Sequence, residues 1–112
     1  AIRIGNPARW HQALEALDES DGQITAVTDE KILESWKLLA EEEGVFVEPA
    51  SATGVAALKQ QIELGAINPQ GKIAVCVVTG HGLKDPGTAI EMATVPVSLP
   101  ADLVALEAYL SG

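Results

Sequence analysis

Thr79, Gly80, His81 and Gly82 follow directly on the apolar run Ile73-Ala74-Val75-Cys76-Val77-Val78, and Leu83-Lys84-Asp85-Pro86 comes after them. A hydroxyl, an imidazole and two glycines at the end of such a run can hydrogen-bond a ligand, titrate near neutrality and let the backbone approach closely. Thr79 is the first candidate, because it falls at the end of the apolar run, where its hydroxyl reaches the edge of a pocket. Gly80-His81-Gly82 could form a backbone nest for an anion, and His81 could act as an acid or base. Glu48, directly before Pro49, is open to two readings. It is either a carboxylate aimed at the same edge as Thr79 or one that caps the first N–H groups of the helix carrying Ser51. Ser51 shares that ambiguity. Arg3 could hold a phosphate, but pairing with an acidic neighbour is the simpler role.

The elements that must position these residues follow from periodicity. The run 73–78 is β-branched and lacks alternation, as expected of a strand buried on both faces of a parallel sheet. In such sheets ligands bind at the carboxyl ends of the strands, where Thr79 falls. Upstream, Gln23-Ile24-Thr25-Ala26-Val27 and Val45-Phe46-Val47 read as short strands. Asn6-Pro7 reads as a helix start with the apolar face Trp10, Ala13, Leu14 and Leu17, closed by Gly22. Thr28 caps a second helix with the stripe Ile32, Leu33, Trp36, Leu39 and Ala40, stopped by Gly44. Pro49 opens a third, rich in small residues, and residues 68–71 turn the chain toward residue 73. Alternating strands and helices predict an α/β class, a three-layer αβα arrangement with a mainly parallel sheet. Residues 1–112 form one α/β segment, in which residues 92–112 are a tail ending in a short helix from Ala101 to Leu110. That helix is capped near Ser98 and packed through Leu103, Val104, Leu106 and Leu110.

Composition narrows the functional classes. At 112 residues the chain could bury roughly 65% of its unfolded surface, enough for one core. Aromatic residues make up 4%, so that core must be aliphatic. A net charge of −9 disfavours nucleic acid and anionic membranes as partners. The acidic runs at 18–21 and 41–43 read as solvated helix ends. A lone cysteine, Cys76, allows no internal disulfide and reads as a small buried hydrophobe. No metal site is expected, since His11 and His81 are far apart and no C-x-x-C or H-x-x-x-H spacing occurs. No G-x-S-x-G elbow is present. No apolar run approaches the length of a membrane span, and a cytoplasmic location fits.

Taken together, residues 1–7, Val27-Thr28-Asp29-Glu30, Glu48-Pro49-Ala50-Ser51-Ala52 and the stretch 77–86 resemble the C-terminal part of the threonine synthases. The resemblance covers nearly the whole chain. It implies the tryptophan synthase β-like fold of fold type II pyridoxal 5'-phosphate (PLP) enzymes. It also implies a carbon-oxygen lyase acting on phosphates, converting O-phospho-L-homoserine and water to L-threonine and phosphate. By the same resemblance Thr79 is the partner of the PLP pyridine nitrogen. Ala1 packs on the ring, Gly80 and Glu48 complete the cofactor-binding set, and His81 shapes the loop beneath it. The lysine that carries PLP and the glycine- and asparagine-rich phosphate loop have no counterpart among these residues. The chain is therefore expected to be a segment inactive alone, with the remainder of the same enzyme as its partner in a homodimer. Two rivals are another fold type II enzyme, such as a serine/threonine dehydratase, and a stand-alone α/β binding module without catalysis.

Overall fold

A computed structural model describes residues 4–112, so the expectations for Ala1 and Arg3 lie outside the described residues. Five α-helices are found among those residues: α1 Trp10–Ser20, α2 Asp29–Glu42, α3 Thr53–Glu63, α4 Pro86–Met92 and α5 Leu103–Leu110. Short 3-10 turns at Pro49–Ala52 and Gly82–Lys84 precede α3 and α4.

The packing centre is small. Ile32 and Trp36 of α2 are buried against Val47, Ala52 and Ala56, with Val27, Leu39, Val78 and Ala89 partly covering them. Ile32, Leu33, Trp36, Leu39 and Ala40 do form the inward face of α2, and Ser35 joins them nearly fully buried. The small side chains of Ser35, Ala52 and Ala56 let α2, the Pro49 turn and α3 approach one another closely. The indole Nε1–H of Trp36 donates to the carbonyl of Val47, fixing the strip before Pro49 to α2. At the rim, Lys31 Nζ lies 3.4 Å from Glu63 Oε2, linking α2 to α3.

Local signals were legible at the ends of α2. The Thr28 hydroxyl accepts the Lys31 N–H at 3.4 Å, and Gly44 takes φ 65°, a left-handed conformation that suits glycine. Elsewhere the boundaries differ from expectation. α1 begins at Trp10, not at Pro7, and no side chain caps it. At its C-terminal end Asp21, not Gly22, takes the left-handed position, with φ 49°. Its apolar face carries no buried residue. α5 is capped by Asp102, whose Oδ1 accepts the Ala105 N–H at 2.9 Å, rather than from near Ser98. Leu103, Val104, Leu106 and Leu110 are all exposed. α4 was not anticipated; Asp85 caps it by accepting from the backbone N–H and the hydroxyl of Thr88, at 3.3 and 2.8 Å.

The expected parallel sheet is not formed among the described residues. Residues 23–27, 45–46 and 73–78 carry no helix and no ladder, and the sole bridge there is antiparallel, between Val47 and His81. Parallel pairing needs neighbours about 4.8 Å away on the hydrogen-bonding edges, and no ladder joins these three segments. Segment 23–27 is tied instead by side-chain amides of α3. Gln60 Nε2 donates to the Ala26 carbonyl at 3.1 Å and Gln61 Nε2 to the Thr25 hydroxyl at 3.4 Å. Ile73, Val75 and Val77 are 95%, 85% and 76% exposed, so one face of the run read as doubly buried is open, while Val78 on the other face packs against the core. Cys76 is half-buried.

Trp36→Phe tests the central tie. It keeps most of the apolar volume and removes the donor to Val47, and leaving that carbonyl unpartnered should cost about 1–3 kcal/mol. Urea unfolding of the intact protein should show a lower midpoint at unchanged slope. An unchanged midpoint would mean the indole bond contributes nothing net.

Candidate functional site

The site is built where the strip 46–51 meets the loop 79–84. The Glu48 N–H donates to the Gly80 carbonyl at 2.9 Å and the Gly82 N–H to the Phe46 carbonyl at 3.2 Å, which seats the loop antiparallel to the strip. Pro49 then turns the chain into the 3-10 segment, and Ser51 points back at the loop. Its Oγ accepts the Thr79 N–H at 3.2 Å and the Gly80 N–H at 2.8 Å, and it lies 3.4 Å from Thr79 Oγ1. Ser51 and Gly80 are buried, whereas Thr79 is exposed. A hydroxyl at the solvent-facing edge is thus backed by a second, buried hydroxyl.

The two readings of Glu48 are now separable by contact. Its side chain makes no cap to the turn that follows. It lies over Gly80, so closely that a Cβ on residue 80 would overlap it. Its Oε2 is 3.8 Å from Lys84 Nζ. Lys84 thus reaches across the loop to Glu48. The pair is partly solvent-exposed, so it orients the carboxylate more than it stabilises the fold.

The glycine nest is not available to an anion in this arrangement, because the Gly80 N–H is taken by Ser51 and the Gly82 N–H by Phe46. Gly82 has a packing reason to lack a side chain, since a Cβ there would meet the Phe46 ring. His81 Nδ1 accepts the Leu83 N–H at 3.1 Å, and its ring stands edge-on to Phe46 with centroids 5.6 Å apart. That places the proton of a neutral imidazole on Nε2, and it gives His81 a loop-shaping contact.

Thr79, Gly80 and Glu48 therefore come together, and Ser51 is the member whose part the sequence left open. The signal was its place directly after Glu48-Pro49-Ala50, where a turn reverses the side chain toward the preceding strip's partner. A separate cleft of about 170 Å³, between the start of α2, Pro49 and α4, is lined by Asp29, Asp85 and Glu91 together with Ile32, Leu33 and Met92. Three carboxylates there disfavour an anionic ligand, and Thr79 is not part of it. Among the described residues no cluster suited to a metal ion occurs.

Residues 1–80 match the family described as "Pyridoxal-phosphate dependent enzyme". The chain belongs to this family. Pyridoxal phosphate is accordingly its cofactor, and the matched region takes in Glu48, Ser51, Thr79 and Gly80. Among curated relatives, the chain is 52% identical over 113 residues to a threonine synthase of Halalkalibacterium halodurans, covering 100% of the chain and 32% of that protein. It is 50% identical over 110 residues to a threonine synthase of Methanocaldococcus jannaschii, covering 98% of the chain and 27% of that protein. With a Synechocystis threonine synthase the identity is 54% over 91 residues, 81% of the chain and 23% of the relative. The chain thus spans about a third or less of the length of these relatives.

The donor set suits one end of this family's cofactor. Thr79 and Ser51 are neutral hydroxyl groups, and the Glu48 carboxylate that lies over Gly80 has Lys84 Nζ 3.8 Å away. A pyridine nitrogen meeting Thr79 would find a neutral hydroxyl able to donate a hydrogen bond, where a carboxylate would hold it protonated.

The glycines give a testable ordering. Gly80→Ala displaces only the flexible carboxylate arm of Glu48, whereas Gly82→Ala drives a Cβ into the Phe46 ring. Overpacking of the second kind costs about 1–3 kcal/mol. In urea unfolding of the PLP-loaded enzyme, Gly82→Ala should therefore lower the midpoint more than Gly80→Ala; the reverse order would contradict the assigned contacts.

Proposed function

We propose that this chain is the C-terminal segment of a threonine synthase, which converts O-phospho-L-homoserine and water to L-threonine and phosphate. The observation that carries the reading is the exposed Thr79 hydroxyl backed by the buried hydroxyl of Ser51, in a chain about half identical to threonine synthases over its whole length. The tryptophan synthase β-like fold, with residues 73–78 as one strand of a mainly parallel sheet and residues 92–112 as tail and short helix, belongs to the same proposal. So do a cytoplasmic, homodimeric holoenzyme and inactivity of this segment alone. Among the described residues no helix is long and apolar enough to cross a membrane.

Bound pyridoxal phosphate supplies an electron sink for bond cleavage along the amino-acid substrate. In our reading Thr79 donates its hydroxyl hydrogen to the ring nitrogen. Being neutral, it would leave that nitrogen unprotonated and so moderate the ring's pull on electrons. Glu48, held over Gly80 and steadied by Lys84, would flank the ring. Gly80 leaves room for that carboxylate, and Ala1, outside the described residues, would supply a small side chain to the ring face. The lysine that carries the cofactor and the loop that holds its phosphate are assigned to the remainder of the enzyme.

The test is a side-by-side assay of the intact PLP-loaded protein that carries this chain. Phosphate release from O-phospho-L-homoserine should far exceed ammonia release from L-threonine or L-serine. Dominant ammonia release would replace this reading with a dehydratase, and neither activity in a demonstrably loaded protein would favour a binding module. Within the first outcome, Thr79→Ala should lower kcat/KM by roughly 10- to 100-fold, the equivalent of about 1.4–2.8 kcal/mol for one lost active-site hydrogen bond.

A further inference from the structure

We propose that Ser51 is a positioning residue that sets the direction of the Thr79 hydroxyl, so that Thr79 meets the cofactor's ring nitrogen as a donor. The inference rests on the assignment of Thr79 to that nitrogen and adds a cause for its polarity.

The argument is a count of lone pairs and hydrogens. A serine hydroxyl has two acceptor positions and one hydrogen to give. Both acceptor positions of Ser51 Oγ are used, by the Thr79 N–H at 3.2 Å and the Gly80 N–H at 2.8 Å. Its hydrogen remains, and Thr79 Oγ1 lies 3.4 Å away. That contact reads as Ser51 donating and Thr79 accepting. Thr79 then keeps its own hydrogen for an outside partner, and a hydroxyl that already accepts one hydrogen bond is a stronger donor. Two backbone N–H groups thus polarise a chain of two hydroxyls outward. Ser51 is buried and set in a proline-initiated turn, so its rotamer is held by packing as well as by these bonds. An aspartate at position 79 could not take this place, because an ionised carboxylate has no hydrogen to give and would favour a protonated ring.

The experiment uses the intact holoenzyme loaded with PLP carrying ¹⁵N at the ring nitrogen, read by NMR alongside equilibrium PLP affinity. Thr79→Ala should move the ring-nitrogen resonance toward the position of a free, unprotonated pyridine. Ser51→Ala should move it in the same direction by a substantial part of that change and weaken PLP binding by roughly 3- to 10-fold, as expected for weakening one hydrogen bond. Ser51→Thr, which keeps the hydroxyl, should restore the wild-type resonance. Should Ser51→Ala not fold, Ser51→Cys supplies the same readout. Its weaker S–H donor should leave the resonance between the wild-type and Thr79→Ala positions. A wild-type resonance in Ser51→Ala or Ser51→Cys, with Thr79→Ala displaced, would overturn the role of Ser51 and leave the assignment of Thr79 intact. A wild-type resonance in Thr79→Ala would overturn that assignment, and the role of Ser51 with it.

Discussion

The strip from Phe46 to Ser51 is the constraint on which the site depends, because it is gripped from both sides. On its inner side the Trp36 indole holds the Val47 carbonyl, and Val47 itself is buried in the small core. On its outer side Phe46 and Glu48 exchange backbone hydrogen bonds with Gly82 and Gly80. The strip therefore transmits the position of α2 to the loop that carries Thr79. Without it, residues 79–84 would have no fixed backbone partner among the described residues, since the run that precedes them has no ladder. Ser51 completes the grip one turn later, and its hydroxyl spans 28 residues of sequence to reach the Thr79 N–H.

This arrangement makes the loop a product of tertiary contacts more than of its own sequence. Gly82 is pressed by Phe46, Gly80 by Glu48, and His81 folds its Nδ1 onto the Leu83 N–H. Each contact removes a freedom that the glycines introduced. Glycine here creates room for neighbouring side chains, which explains why the Gly80-His81-Gly82 triplet does not form an open anion nest despite its composition.

Short-range signals were the ones the sequence carried well. Thr28, Gly44, Pro49 and the stripe of α2 each depend on residues within a turn or two, and each is found where the pattern puts it. Competition between nearby caps was harder to read. Asn6-Pro7 reads as a helix start and the last helix as capped near Ser98, yet the chain uses the later positions Arg9 and Asp102. The parallel sheet is a different matter, since apolar runs announce a need for neighbours without saying which neighbours meet that need. Residues 73, 75 and 77 bear that out by remaining exposed. The site was half legible. Thr79 and Glu48 stood out by type and place, whereas the hydroxyl pair and the crossing of Lys84 to Glu48 join residues 28 and 36 positions apart. No local pattern encodes such distances.

The charge distribution around Thr79 gives its neutrality a physical sense. With a net charge of −9, a further carboxylate at position 79 would sit next to Gly80, over which Glu48 lies, and compete with Glu48 for Lys84. Like charges so close raise the cost of ionising either one. A hydroxyl pair avoids this conflict, because it presents a hydrogen without adding charge, and the Glu48–Lys84 contact stays balanced. Its directionality comes from the backbone: the amides of Thr79 and Gly80 cannot reverse their donors, so the hydroxyl they point at must pass its own hydrogen onward. The polarity of the site is then as fixed as the loop's backbone, and that backbone is fixed by Val47 and its neighbours.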